Sequence, residues 1–250
     1  MHDYELYLLF FGIALLYASV GFGGGSSYLA ILALYGVEFK LMRVTALLCN
    51  IVVVSGGTYI FYKKGLLDWK KVLPIVAVSV PMAYLGGRLP IKEQTFFLIL
   101  AVSLFIAGLL MFFQKSLGSL GESEVKKSKP QVNAAIGGGI GFLSGMVGIG
   151  GGIFLAPLLH LMHWSTAKVI AATASFFILV NSVAGLVGQW QQPDFQWNWK
   201  FSIGLMVSVF LGGQIGSRLA ADQFRQDVVR KMTAALVIFI AVRIFFKNLI

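Results

Sequence analysis

Apolar residues in this 250-residue chain gather into long runs separated by short charged connections. Six runs are continuous and close to the roughly 20 residues that a membrane-spanning helix needs: Val44 to Tyr62, Val72 to Gly87, Thr95 to Phe113, Val169 to Trp190, Phe201 to Ser217 and Met232 to Phe246. Two others, Leu6 to Tyr35 and Val132 to Met162, are too long for one simple span, and glycines interrupt both. The interruptions match, because VGFGGG at Val20 to Gly25 returns as VGIGGG at Val147 to Gly152. Thr45 and Ala46 recur as Thr173 and Ala174, Gly57 as Gly185, Trp69 and Lys70 as Trp199 and Lys200, and Gly86, Arg88 and Leu89 as Gly216, Arg218 and Leu219. The offset drifts only from 127 to 130 residues, which points to one duplicated unit with short loop insertions. Each copy predicts one glycine-broken element followed by three helices.

Composition places those helices in a bilayer. Hydrophobic residues make up 58% of the chain and charged ones 12%, about half the charge content of a soluble domain, and the mean hydropathy is +0.83. The N-terminal Met-His-Asp-Tyr-Glu lacks the basic start of a cleaved signal peptide, so the first apolar run counts as structure. The single cysteine, Cys49, lies in a predicted span and excludes an intrachain disulfide. A net charge of +10 raises the question of nucleic acid, but the basic residues sit between spans with no recognition motif, so no nucleic-acid partner is expected.

The same charges bear on topology. If both broken elements cross the membrane fully, the 20 Lys and Arg divide 11 against 9 between its two sides. If each broken element turns back at its glycines, the division becomes 13 against 7, which obeys the positive-inside rule. Three crossings per copy then place the copies in opposite orientations, as in many secondary transporters. The expected fold is an all-α polytopic membrane protein of two inverted repeats, residues 1–114 and 131–250. A polar cytoplasmic linker, 115–130, joins them, and both termini lie outside. The Trp190 to Trp199 loop suits the outer interface.

Non-helical backbone at membrane depth is tolerated where protein buries it or water lines it. A break of this kind leaves a helix N-terminus whose free N–H groups and positive dipole end suit an anion. Gly23, Gly24 and Gly25 with Gly150, Gly151 and Gly152 are therefore candidate substrate ligands. Ser26 and Ser27 add hydroxyls to the first copy, whereas the second has Ile153 and Phe154. Close helix packing is the alternative role for glycine, and Gly137, Gly141 and Gly145 have the spacing for it. Thr45, Asn50, Thr173 and Asn181 are polar residues within spans, suited either to an oxyanion or to joining helices. Arg88 and Arg218 are candidate charge partners for the anion, with a snorkelling or topological role as the alternative.

All ten acidic residues fall at the termini or in connections, which disfavours a cation pump or a buried proton relay. His160 and His163 stand at a helix end, where an interfacial role is the commoner one. No nucleotide loop, zinc-protease or hydrolase signature and no cofactor or metal pattern is present, so an enzyme is not expected.

The paired segments VGFGGGSSYLAIL and VGIGGGIFLAPLL are each followed by a Thr-Ala helix and later by GGRLP or GSRLA. Together they resemble the sulfite exporter TauE/SafE family of bacterial and archaeal permeases, over nearly the whole chain. The resemblance implies transport of sulfite, sulfoacetate or a related organosulfonate across the cytoplasmic membrane, with the small anion and the bilayer as partners. Membership does not fix the direction or the coupling ion, and the glycine faces do not reveal the oligomeric state. Two other readings keep the same fold: an anion channel with the same glycine lining, and a membrane assembly or sensory subunit that transports nothing.

Overall fold

The computed structural model describes residues 3–19, 22–113, 129–193, 195, 197–219 and 226–249, and they are helical with no strand. The predicted linker lies outside the described residues except at its last two positions. Ten helices follow in order: α1 (Asp3–Ser19), α2 (Gly25–Leu34), α3 (Phe39–Lys63), α4 (Trp69–Arg88), α5 (Glu93–Phe113), α6 (Pro130–Val147), α7 (Gly152–Leu161), α8 (Ala167–Trp190), α9 (Trp199–Leu219) and α10 (Gln226–Leu249). Both glycine-interrupted runs are broken where expected, giving α1–α2 and α6–α7. Among the described residues α3, α5 and α8 are long and apolar enough to cross a membrane. Outward stripes such as Leu98, Val102, Phe105 and Ile106 on α5, or Ile203, Val207, Phe210 and Leu211 on α9, are exposed at helical spacing. Apolar stripes of that extent belong against lipid rather than water.

Helix α3 starts earlier than its apolar run because a polar residue caps it. The Glu38 carboxylate accepts a hydrogen bond from the Leu41 N–H at 3.0 Å, which begins α3 at Phe39. Arg43, assigned from sequence to a connection, is thereby inside α3 and only 2% exposed.

The first broken element folds back on itself. The Tyr35 hydroxyl donates to Glu5 at 3.3 Å, Phe10 stacks on Tyr28 with ring centroids 4.7 Å apart, and the Tyr17 and Ser27 hydroxyls lie 2.6 Å apart. These pairs run in opposite sequence directions, so α1 and α2 form an antiparallel hairpin. Phe10, Tyr28, Leu29 and Leu32 of that hairpin join Phe96, Leu100 and Leu104 of α5 and Val237 and Ile240 of α10 in the main core. In the second half Gly151, at the head of α7, lies against Ile140 and Ser144 of α6.

Partners are exchanged between the halves. Gly137, Gly141 and Gly145 of α6 lie on the backbone of Ile75, Ser79 and Ala83 of α4, in steps of four on both helices. The two helices are therefore parallel and pack backbone to backbone, which glycine permits by presenting no Cβ. The counterpart is α9 on α1, where Gly212 meets Phe11 and Gly216 meets Leu15. At the centre α3 and α8 are antiparallel, with Leu47 beside Gly185 and Gly57 beside Ser175.

Candidate functional site

The glycine clusters end one helix and start the next at a backbone angle other residues avoid. Gly24 (φ 84°, ψ 2°) and Gly151 (φ 80°, ψ −14°) are left-handed N-caps of α2 and α7. Neither helix has a side-chain cap. The Gly24 carbonyl accepts from Tyr28 N at 3.0 Å, and the Gly151 carbonyl from Phe154 N and Leu155 N, both at 3.1 Å. The N–H groups ahead of these lack intrahelical partners, as at any helix start. Elsewhere a Ser, Thr or Asp side chain commonly takes one of them; glycine leaves them to whatever enters.

Asn50 of α3 stands between the two breaks and is fully buried. Its Nδ2 donates to the Ile149 carbonyl at 3.0 Å, and its Oδ1 has no hydrogen-bond partner. A carbonyl opposite the amide requires the nitrogen on that side, which turns Oδ1 the other way. A methyl group on Gly23 would lie 2.8 Å from Oδ1, one on Gly150 would lie 2.6 Å from Nδ2, and one on Gly25 would collide with both the Asn50 amide and Ile149 O. The two breaks are thus in contact, with one carboxamide as the joint.

A narrow cleft lies at this joint; its roughly 300 Å³ of space between atoms includes the open solvent at its mouth. Gly23, Gly24, Gly25, Ser26 and Asn50 line it from the first half, and Ile149, Gly152, Ile153 and Ile178 from the second. Tyr17, Phe22 and Met111 complete the wall. Among the described residues no charged side chain lines it. The N-termini of α2 and α7, each equivalent to roughly half a charge at its tip, add positive potential here in apolar surroundings that screen it little, and the backbone of the buried Arg43 packs against Gly148 just ahead of the second break.

The other sequence candidates lie off the cleft wall. Gly150 and Gly151 stand behind it, Gly150 beside Ser182 and Gly151 beside Phe177 and Ser144. The Ser27 hydroxyl is engaged with Tyr17, and Thr45 Oγ1 lies 3.2 Å from Ser202 Oγ, tying α3 to α9. Thr173 returns its hydroxyl to the Val169 carbonyl at 2.8 Å, and Asn181 Nδ2 donates to Phe177 O at 2.8 Å. Arg88 and Arg218 are exposed in the last turns of α4 and α9. Among the wall residues the sequence reading passed over, Ile178 had a signal: it stands 128 positions after Asn50, the offset of Thr45 to Thr173, so the second half carries isoleucine where the first carries the carboxamide. Met111 had none, being one apolar residue among many.

A family model described as Sulfite exporter TauE/SafE matches residues 6–244, taking in both glycine breaks. The chain belongs to the sulfite exporter TauE/SafE family. Among its relatives, a probable membrane transporter protein, y4hK of Sinorhizobium fredii, is 34% identical over 236 residues, covering 92% of this chain and 93% of the relative. Another, the probable membrane transporter protein YunE of Bacillus subtilis, is 24% identical over 214 residues, covering 78% and 77%. No solved structure gives a significant match. Family membership and the lipid-suited helices together make this TauE/SafE chain a multi-pass membrane protein.

Proposed function

We propose that this TauE/SafE protein is a secondary transporter that carries a small sulfur-containing anion, such as sulfite, sulfoacetate or a related organosulfonate, across the cytoplasmic membrane by alternating access. The observation that carries the reading is the meeting of two uncapped helix N-termini at one cleft whose described lining residues are uncharged. Such a site attracts an anion and still releases it, because no fixed counter-ion holds it there. The description of the family and the membrane-transporter names of both relatives support transport rather than catalysis.

The exchange of partners between α1–α9 and α4–α6, with α3 antiparallel to α8, supports two inverted repeats, 1–114 and 131–250. The hairpin of α1 and α2 supports the fold-back topology that the lysines and arginines favour. In that arrangement both termini lie outside and the 115–130 linker lies in the cytoplasm. Movement of one repeat against the other opens the cleft to each side in turn, with Asn50 and Ile149 at the contact that must slide.

The test is flux into proteoliposomes at a potential set by a potassium gradient. Saturable, potential-sensitive sulfite movement is expected, with sulfate as the control anion. Non-saturating flux far above carrier turnover would make the protein a channel, and absence of flux for sulfite and organosulfonates with folded protein would refute the proposal.

A further inference from the structure

Two features of the cleft narrow the anion it takes. The first is charge. Two helix N-termini at the wall are worth together about one unit of positive charge; among the described residues no lysine, arginine or histidine lines the wall, and the buried Arg43 packs against Gly148 rather than on it. A monoanion is matched by that potential, whereas a dianion entering the same apolar surroundings keeps about one charge uncompensated, and an uncompensated buried charge is strongly disfavoured.

The second feature is an acceptor where an anion site would be expected to present only donors. Asn50 Oδ1 is fully buried, has no partner and faces Gly23 and Gly25 at the head of α2. Its orientation is fixed because the other end of the amide is committed to the Ile149 carbonyl. A ligand made only of acceptor oxygens would leave Oδ1 unsatisfied and set two electron-rich oxygens against each other. A ligand that also carries an O–H or N–H satisfies it, and a buried acceptor left without a donor costs enough to discriminate between ligands.

We propose that the site selects monoanions bearing a hydrogen-bond donor, with the helix N-termini of α2 and α7 holding the oxyanion and Asn50 Oδ1 accepting the ligand's proton. This narrows the wider set of anions proposed above: hydrogensulfite and hydroxyalkylsulfonates belong to the class, whereas fully ionised sulfite, sulfoacetate and simple alkylsulfonates fall outside it. The proposal rests on the reading of the cleft as an anion-transport site.

The test uses two matched monoanions, isethionate (2-hydroxyethanesulfonate) and ethanesulfonate, which differ by one hydroxyl, together with the dianion sulfoacetate. Each competes against labelled sulfite in proteoliposomes of the full chain. Isethionate is expected to inhibit at a concentration at least about tenfold lower than ethanesulfonate, although its hydroxyl makes it costlier to desolvate, and sulfoacetate is expected to be the weakest of the three. In Asn50→Leu the isethionate preference is expected to collapse toward unity, a change in ratio that a merely destabilised protein would not give. Equal inhibition by the matched pair in the wild-type protein, or a preference retained in Asn50→Leu, overturns the role of Oδ1. Sulfoacetate binding ahead of isethionate overturns the charge match. In either case sulfite transport itself would stand; if sulfite is not transported and no sulfonate interacts, the transport reading fails and this proposal falls with it.

Discussion

Replacing Gly25 with alanine is expected to cut sulfite flux by at least about tenfold while leaving a protein that inserts into membranes and purifies as a single species. The added methyl meets the Asn50 amide and lies 2.5 Å from the Ile149 carbonyl, which belongs to the backbone of the other break. A flexible side chain could swing aside, but this carbonyl moves only if the two breaks separate. Overpacking of that kind costs about 1–3 kcal/mol, and here the cost falls on the geometry that points two N-termini into one cleft. Gly151→Leu disturbs the second break at its N-cap, where the left-handed φ of 80° and Phe177 Cε1 at 2.7 Å both oppose a side chain. Gly12→Ala is the control, because nothing lies within 4 Å of a methyl at that position of α1, and flux should be unchanged. Flux per folded protein molecule, measured on the three variants side by side, checks the prediction.

Gly145→Leu is expected to do something different, and more severe: it should prevent recovery of folded protein. Gly145 presses on the Ala83 carbonyl, four residues on from the contact of Gly141 with Ser79 and eight from that of Gly137 with Ile75. These contacts hold two parallel helices from opposite halves of the chain at backbone distance. In a bilayer, where burial of apolar surface drives helix association weakly, such close packing is the main source of attraction. A leucine there lifts α6 away from α4 along the whole seam, and the loss exceeds ordinary overpacking. Gly139 lies on the same helix with nothing within 4 Å of an added methyl. Gly139→Leu should therefore give normal yield and a thermal midpoint at or above wild type, since leucine favours helix over glycine by roughly 0.5–1 kcal/mol. Detergent-solubilised yield and thermal midpoint of the two variants separate packing glycines from lipid-facing ones.

These two groups of glycines are alike in composition and were legible to different degrees. The breaks at Gly23 to Gly25 and Gly150 to Gly152 announce themselves because the run of glycines is duplicated inside an apolar context. The α6 series shows its spacing, but that its partner is α4, from the other half, depends on a three-dimensional exchange that no local pattern encodes. Polar residues within spans divide in the same way. Asn50, Thr45, Thr173 and Asn181 carry one and the same sequence signal, a costly polar group in an apolar run, yet Thr173 meets its need within its own helix and Thr45 meets Ser202, 157 positions away. Asn50 and Asn181 each keep an unpaired Oδ1, but of the four only Asn50 lines the cleft, and the side its Oδ1 faces follows from where Ile149 falls in the opposite half. Arg43 escaped because apolarity marks where a helix enters lipid, while the Glu38 cap marks where the helix begins. Arg88 and Arg218 recur between the halves and so drew attention, but helix-end positions leave them exposed rather than beside the cleft.

If the two glycine breaks build one shared anion site, as proposed, the stoichiometry of sulfite binding to purified protein, measured by titration calorimetry, must show it. One site per chain is expected, with affinity at least about tenfold weaker in Gly25→Ala and likewise in Gly151→Leu, because neither half holds the anion alone. Two independent sites per chain, or full affinity retained when one break is altered, would contradict it.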